Sequence, residues 1–531
     1  MRFTLIYILT TFTCFAQPGI EWQKTIGGNN LDTVKKIINL EDGYLISGQS
    51  LSIISGDKTV GGFGGSGHHC WVIKLGVNGE IIWQKAYGGG SAETNFDVVQ
   101  TNDNGFLFSF TSSSNISGNK TENSRGFADY WLVKTDELGN IVWQKTIGGN
   151  NADENLKAIP CADGGYFLGG SSSSSISGEK TEDLRGFDII NADYWVLKLD
   201  ENRNIEWQRT IGGTNNDRFV VVRQTEDEGF LIAGHSRSDI GFEKTENSRG
   251  DSSFDYWILK LNPQGDIEWQ KTIGSNSNDL LYDMLITPEN DILIGGVSGE
   301  GISGDKTVES NGGSDFWILK LNSFGEILWQ KSIGGNDQET IYMLSKTSDG
   351  NYLLGGSSNS SISGDKTSNS RGLSDYWAVL IDSDGTILGQ KTIGGNDNEA
   401  GKNVIETPDG GYFIAGNTFS GISGEKTEAS RGQSDYWVLK LEPNSLAFAN
   451  PILSGLRVYP NPTTELVNIN FSANFSGSIN QTDILGKEVQ QLIMSDVKEV
   501  TFKLEGEDGI YLLTLQTNSG EKESVKIIKR K

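Results

Sequence analysis

The feature that most constrains this chain is the stretch Tyr194 to Gly213 (YWVLKLDENRNIEWQRTIGG), a pattern that returns with a period of 60 to 64 residues. It holds two short strand patterns joined by a polar turn, with Trp195 in the first and Trp207 in the second. The pair recurs as Trp71/Trp83, Trp131/Trp143, Trp257/Trp269 and Trp317/Trp329, always twelve residues apart. Trp377 has Gly389 at its partner position, Trp437 has no downstream partner, and Trp22 stands alone; all 13 tryptophans belong to the repeat. An even spacing across an antiparallel hairpin puts both indoles on one face unless the turn carries a bulge.

Two more strand patterns lie between successive hairpins, in the third copy Asn155–Ile159 and Tyr166–Gly170, split by the turn Asp163-Gly164-Gly165. Related turns recur at Asp42-Gly43, Asp103-Asn104-Gly105, Asp349-Gly350 and Asp409-Gly410-Gly411, a hairpin signal. Each unit therefore carries four strands, here a, b, c and d, with the tryptophan hairpin as c and d. Seven such units predict an all-β fold, a seven-bladed β-propeller over residues 17–442. The chain enters with a lone d strand (Glu21–Ile26) and leaves with a lone c strand (Tyr436–Leu441). The first strand is expected to complete the seventh blade, so that Trp22 meets Trp437 and no open edge is left to aggregate. An open solenoid would leave that edge exposed.

The hairpin DYWVLKL…IEWQRTIGG and the b strand GYFLGGS (Gly165–Ser171) resemble the β-propeller repeat family of secreted bacterial proteins, a family defined by architecture rather than activity. Residues 443–455 break the repeat as a linker. Residues 456–531 then read as a small β-sandwich, with the landmarks LRVYPNPTTELVNINF (Leu456–Phe471), Asp483–Glu488, Gly509–Leu513 and a basic end at Lys526–Lys531. This stretch is similar to the type A sorting domain of type IX secretion cargo. The resemblance implies export through the outer membrane by the type IX machinery. It further implies removal of the domain by a sortase-like peptidase, with release or attachment at the cell surface.

Met1–Gln17 has one basic residue, an apolar run and Phe15-Ala16-Gln17, which predicts a signal peptide over residues 1–16. Cys14 lacks the leucine of a lipoprotein box three residues earlier, and no other apolar run reaches membrane-spanning length. The mature chain keeps Cys70 and Cys161 in different repeats, expected as free thiols. A net charge of −25 argues against nucleic acid and against a bare anionic membrane as partners.

The b–c connections, such as Ser171–Ala192, are long in every unit and share one face of the ring with the d–a connections, so this face is the candidate binding face. Lys58, Lys120, Lys180, Lys244, Lys306, Lys366 and Lys426 recur there, often followed by an arginine. Gly-x-Lys-Thr is not a phosphate loop, because strands rather than a helix follow. These lysines and the aspartates before Trp131, Trp195, Trp257, Trp317, Trp377 and Trp437 read mainly as loop and interblade hydrogen-bonding groups. The alternative is seven equivalent sites for an anionic or sugar-like ligand. A single site is expected where the repeat breaks: at His68-His69-Cys70 and Gly61–Gly67 in the first unit, in the third at Asp188–Asn191, and in the fourth at His235 in its b–c loop.

Adjacent His69 and Cys70 point to opposite faces of a strand, so no metal ligand set is assigned. The Asn/Asp-rich d–a connections could offer oxygens to calcium, yet they lack calcium-loop spacing and read better as Asx turns. No cofactor is expected. Three histidines, no nucleophile elbow and no zincin motif leave no catalytic constellation. The sequence thus points to an exported binding or adhesion module for a glycan, matrix or protein ligand. The alternative is a secreted polysaccharide hydrolase or lyase with acidic residues in the central funnel.

Overall fold

Every tryptophan hairpin carries one extra residue, and that residue decides which way its indoles face. In the third unit Lys198 pairs with Trp207 but Leu199 pairs with Ile205, leaving Glu206 as a bulge. Trp195 is consequently opposite Thr210, three residues past Trp207. The two indoles lie on opposite faces of the blade, not on one face as the even spacing suggests. Trp195 is buried against the preceding blade with Tyr130 and Leu132, whereas Trp207 packs on the following one beside Phe230. The bulge thus serves both seams of a blade with one hairpin.

The computed structural model describes residues 19–63, 67–186, 191–299, 301–443, 445–446, 457–483, 487–517 and 522–530; residues 1–16, expected as a signal peptide, and most of residues 443–455, expected as a linker, lie outside them. Every regular element described is a strand, and no helix is long and apolar enough to cross a membrane. Residues 19–446 form seven four-stranded antiparallel sheets in the order a-b-c-d, for example Asp153–Pro160, Tyr166–Ser172, Asp193–Leu199 and Ile205–Ile211. The a strands neighbour one another around the ring, and Asp32–Leu40 of the first blade meets Glu399–Glu406 of the seventh. The architecture is the seven-bladed propeller.

Closure runs as expected, with one correction of detail. Ile20–Ile26 pairs antiparallel with Asp435–Leu441. Trp22, however, lies opposite Lys440, and Trp437 opposite Thr25. The residue that meets Trp437 is Gln23, whose side-chain oxygen accepts the indole N–H at 3.0 Å. The same bond forms within every other blade, as from Trp195 to Gln208 at 3.0 Å, so a wholly buried indole keeps its polar atom satisfied. The gap in the covalent chain is bridged by the same chemistry that joins c to d elsewhere.

Seam packing explains the glycines of the repeat. The first glycine after strand d (Gly27, Gly148, Gly212, Gly274, Gly334, Gly394) has no room for a Cβ, because the aspartate that opens strand c fills that space. Likewise, the tyrosine hydroxyl of one blade occupies the Cβ position of Gly170, Gly234 or Gly296 in the next.

Residues 447–531 form a second unit. Its described strands make one five-stranded sheet in which the 18-residue strand Leu466–Asp483 pairs with Glu488–Lys503 and, in its second half, with Gly509–Thr517. Register breaks around Phe475 let this strand serve both layers of the small β domain over a core of Val467, Ile469, Phe475, Leu513 and Leu515. Cys70 and Cys161 are buried, unbonded thiols.

Candidate functional site: the axial cavity

The repeated lysines are not at the surface. All seven are buried, with 0–2% exposure. Lys58 donates to Ser50 Oγ at 2.6 Å, Lys120 to the Ser114 carbonyl at 2.8 Å, Lys180 to Thr210 Oγ1 at 2.9 Å, and Lys306 to the Gly299 carbonyl at 2.6 Å. Lys244 and Lys366 reach Thr272 and Thr392 in the same way, and Lys426 reaches the Glu428 carbonyl. Four of the ammonium groups also lie over the c-strand indole, at 4.8–5.6 Å from its centre. Burial pushes Lys120, Lys180, Lys244 and Lys366 down to about 8. Six of the seven stand near two carboxylates, as in the third blade Asp153, which opens strand a, and Asp193, which opens strand c; Lys58 has Asp32 alone.

The aspartate opening strand c also faces the acid opening strand a of the next blade, as Asp193 faces Asp217 and Asp255 faces Asp279. Both members are fully buried. Asp193 is pushed up to about 8 by burial and by Asp217, and Asp255 to about 7 by burial and Asp279. The Oδ1 atoms of Asp193, Asp217, Asp255, Asp315, Asp375 and Asp435 have no hydrogen-bond partner. Such a seam is best satisfied when one proton is held between two carboxylates. Among the described residues, no group of three or more His, Cys, Asp or Glu side chains could hold a metal ion.

The histidines of the first unit belong to the same seam. His69 stands where other blades have the aspartate, its Nδ1 3.5 Å from Glu93 Oε2, with Phe63 edge-on to its ring. Cys70 replaces the tyrosine, and the space is refilled by Phe110, which packs on Trp131 where the other blades keep a glycine. His68, beside them, is pushed down by burial and by Lys35 and His69. The break at His68-His69-Cys70 is therefore a repacked seam. Residues 64–66 and 188–190 of the other two breaks lie outside the described residues.

His235 is different. It lies in strand b, Phe230–Ser236, rather than in the b–c loop, and it lines a cavity of about 380 Å³ on the ring axis. The other walls are Lys35, Asn95, Phe96, Asn155, Lys157, Arg218, Phe219, Val220, Tyr342 and Lys402, from the innermost strands of six blades. A smaller compartment of about 120 Å³ continues past Lys36, Asp97, Arg223, Tyr282 and Asp283. Strand a carries a bulge in every blade, as at Lys35, Val220, Tyr342 and Lys402. The bulge turns an extra side chain toward the axis.

The electrostatics of this cavity run against those of the whole chain. The two compartments together present six cationic side chains (Lys35, Lys36, Lys157, Arg218, Arg223, Lys402) and two carboxylates (Asp97, Asp283). Both carboxylates are paired, Asp97 with Lys157 at 3.1 Å and Asp283 with Arg223 at 2.8 Å. Against the cost of burial, Lys157 and Lys36 hold Asp97 below the usual carboxylate range. Lys402 lies 3.4 Å from the centre of the Tyr342 ring, and burial pushes it down to about 8. Lys35 is lowered by burial, then by Lys402 and Lys157. Around His235, Arg237 lies 4.0 Å from the centre of the Phe254 ring and Arg218 5.9 Å, while the His235 ring meets Phe254 edge-on at 4.9 Å. Burial, Arg218 and Arg237 push His235 down to about 4, so it is neutral, and its Nδ1 has no partner.

Sequence reasoning found His235 but missed Lys35, Lys157, Arg218 and Lys402. For Lys35 and Lys402 the signal was available: three residues after the acid that opens strand a, the blades carry Lys35, Phe96, Leu156, Val220, Tyr282, Tyr342 and Lys402 in turn. The repeat varies most on the axis, not in its long loops. On the b–c face each blade instead repeats an exposed isoleucine (Ile54, Ile116, Ile176, Ile240, Ile302, Ile362, Ile422), 56–68% exposed.

Residues 457–530 match the family described as a secretion system C-terminal sorting domain. The chain is thus cargo of the type IX route and is exported to the cell surface or beyond. It is 20% identical over 211 residues to the regulatory protein FlaEY of Caulobacter vibrioides, a match covering 38% of this chain and 22% of that protein. Among solved structures it is similar to the WD40 domain of Pan2 from Neurospora crassa, with 9% identity and a TM-score of 0.40 over 80% of this chain and 92% of that one. It is also similar to a puromycin hydrolase, with 8% identity and a TM-score of 0.44 over 87% of this chain and 62% of the other.

Proposed function

We propose that the propeller works outside the cell as a non-catalytic binding module whose ligand enters the axial cavity from the b–c face. The observation that carries this reading is where the repeat loses its symmetry. Loop lysines, seam aspartates and hairpin tryptophans serve seven equivalent seams, whereas the walls of the axial cavity differ from blade to blade. A ligand pocket needs a few convergent polar groups in a partly apolar cleft, and Phe96, Phe219, Tyr342 and the surrounding cations have that composition. The seven exposed isoleucines add apolar contact area around the same face.

The hydrolase or lyase reading has less support. A glycosidase needs one free carboxylate and one held protonated, and the two carboxylates of the channel are both tied to cations. The test is a binding screen of the purified propeller, ending at Leu446, against glycans and matrix proteins, with reducing-end release measured in parallel. Saturable binding without release supports the module. Release that is lost in Asp97→Asn or Asp283→Asn would replace it with an enzyme.

A further inference from the structure

Three cations in the axial cavity have no carboxylate partner: Lys35 and Arg218 are exposed, and Lys402 has only the Tyr342 ring beneath it. Among the described residues, Lys35, Arg218 and Lys402 take part in no ion pair, while Lys157 and Arg223 do. Burial within the channel first, and then Lys402 and Lys157, disfavour the charged form of Lys35, so the cavity holds like charges near one another. The whole chain carries −25, so general surface electrostatics do not account for this concentration of positive charge. A second, independent observation is a buried nitrogen without a partner on a residue of its wall, His235 Nδ1. Apolar ring surface lies beside the cations in Phe96, Phe219 and Tyr342.

We infer that the axial cavity is an oxyanion site that takes an acidic sugar, a pyranose carrying a carboxylate, sulfate or phosphate group. The oxyanion would lie among Lys35, Lys402 and Arg218, accepting charge-assisted hydrogen bonds. The sugar ring would lie against Tyr342 and Phe96, with His235 meeting its hydroxyls near the b–c face. A cavity of about 380 Å³ falls at the small end of ligand pockets, so it suits a chain end or one to two residues, not a long internal stretch. This inference rests on the axial binding reading and deepens it.

The experiment is calorimetric titration of the full chain with a galacturonate trisaccharide, a neutral galactose trisaccharide and sodium sulfate. The expected result is binding of the acidic sugar at least tenfold tighter than the neutral one, weakened as salt rises. Lys402→Gln and Arg218→Gln should each weaken it by about tenfold or more, while Lys331→Gln on an outer strand changes nothing. A readout that misfolding cannot imitate is proton uptake. An anion beside Lys402 raises its pKa from about 8, so at pH 8.5 binding should draw protons and its heat should depend on the buffer. The charged and titratable groups facing that site are Lys35, Lys36, Lys157 with Asp97, Arg218, His235 and Tyr342, with His68 near Lys35. Lys35 is lowered as well, so the uptake belongs to the lysine pair and should shrink in Lys402→Gln. Equal binding of neutral and acidic sugars, unaffected by Lys402→Gln, would overturn the oxyanion site while leaving the binding module standing. Sulfate binding as tightly as the trisaccharide would overturn the sugar half alone. No binding of any acidic probe would overturn the inference.

Discussion

Gly389, the one hairpin position without its tryptophan, faces the one blade without a c–d turn. Elsewhere the d-strand indole covers the turn of the next blade: Trp22 packs on Gly79, Trp207 on Gly265, Trp269 on Gly325 and Trp329 on Gly385, and Arg203 lies 5.5 Å over Trp143. Blade seven cannot offer such a turn, because its c strand ends the propeller and its d strand begins it. The two chain ends stand in its place. Glu442 N–H donates to the Gly19 carbonyl at 3.0 Å, and Lys391 and Ser445 both abut Gly19. Leu446, fully buried, packs with Ile20, Leu380 and Leu388. Leu380 is the cross-strand partner of Gly389, so Leu446 occupies the seam an indole would fill. That seam adjoins blade seven, while Trp377 packs on the other side of its blade. Leu388, the bulge residue, joins the packing around Leu446.

Two opposite perturbations follow from that packing. Leu446→Ala should cost about 2–5 kcal/mol, as for other fully buried leucines. Gly389→Trp should overpack the same seam and cost about 1–3 kcal/mol. The double variant should lose less than the sum, by a coupling of roughly 1 kcal/mol or more, since the indole enters the space Leu446 vacates. Urea unfolding followed by tryptophan emission reads the propeller alone, because no tryptophan lies beyond residue 437. A stabilising Gly389→Trp, or a Leu446→Ala within 0.5 kcal/mol of the parent, would refute this account of the closure.

Three further outcomes are expected. Asp193 and Asp255 have native pKa values of about 8 and 7, above the usual 3.8, so their contribution to stability is full below the unfolded value and is lost as pH rises through 7 and 8. The propeller should therefore unfold at higher urea at pH 5 than at pH 8, and a higher midpoint at pH 8 would reject the shared-proton seams; above pH 8 the lysines lowered to about 8 oppose the trend. Lys244→Met should destabilise by about 3 kcal/mol or more, since it leaves buried Asp217 and Asp255 without their cation; a neutral effect would mean the repeated lysines are dispensable to the fold. Removing residues 456–531 should hold a folded propeller in the periplasm, and normal appearance of the truncated protein in the medium would contradict the sorting role.

The architecture was legible because seven copies of one hairpin leave few alternatives. Period, strand number and the lone strands at Trp22 and Trp437 all pointed to a closed ring. What the spacing could not give was the bulge at Glu206 and its equivalents, since one extra residue reverses a side chain without changing composition or length. The same limit hid the site. Lys35 and Lys402 read as polar residues of a half-exposed strand, and only the bulges and the ring curvature bring them together.

The departures from the repeat fall into two kinds, and the difference separates structure from function without any related sequence. At the seams each departure has its complement. Cys70 gives up the tyrosine ring and Phe110 supplies one in place of glycine. Gly389 loses an indole and Leu446 arrives. Each exchange restores volume, as close packing demands. On the axis nothing of the kind occurs. Lys35, Arg218 and Lys402 bring charge into one cavity, and no carboxylate pairs with them. A fold alone gains nothing from uncompensated like charges, which lower its stability. Lys402→Met should therefore stabilise the empty propeller, by about 1 kcal/mol at pH 7, while removing the affinity that the charge provides. A destabilised Lys402→Met would mean that the ammonium over Tyr342 is held for packing, and that the axis, like the seams, is only structure.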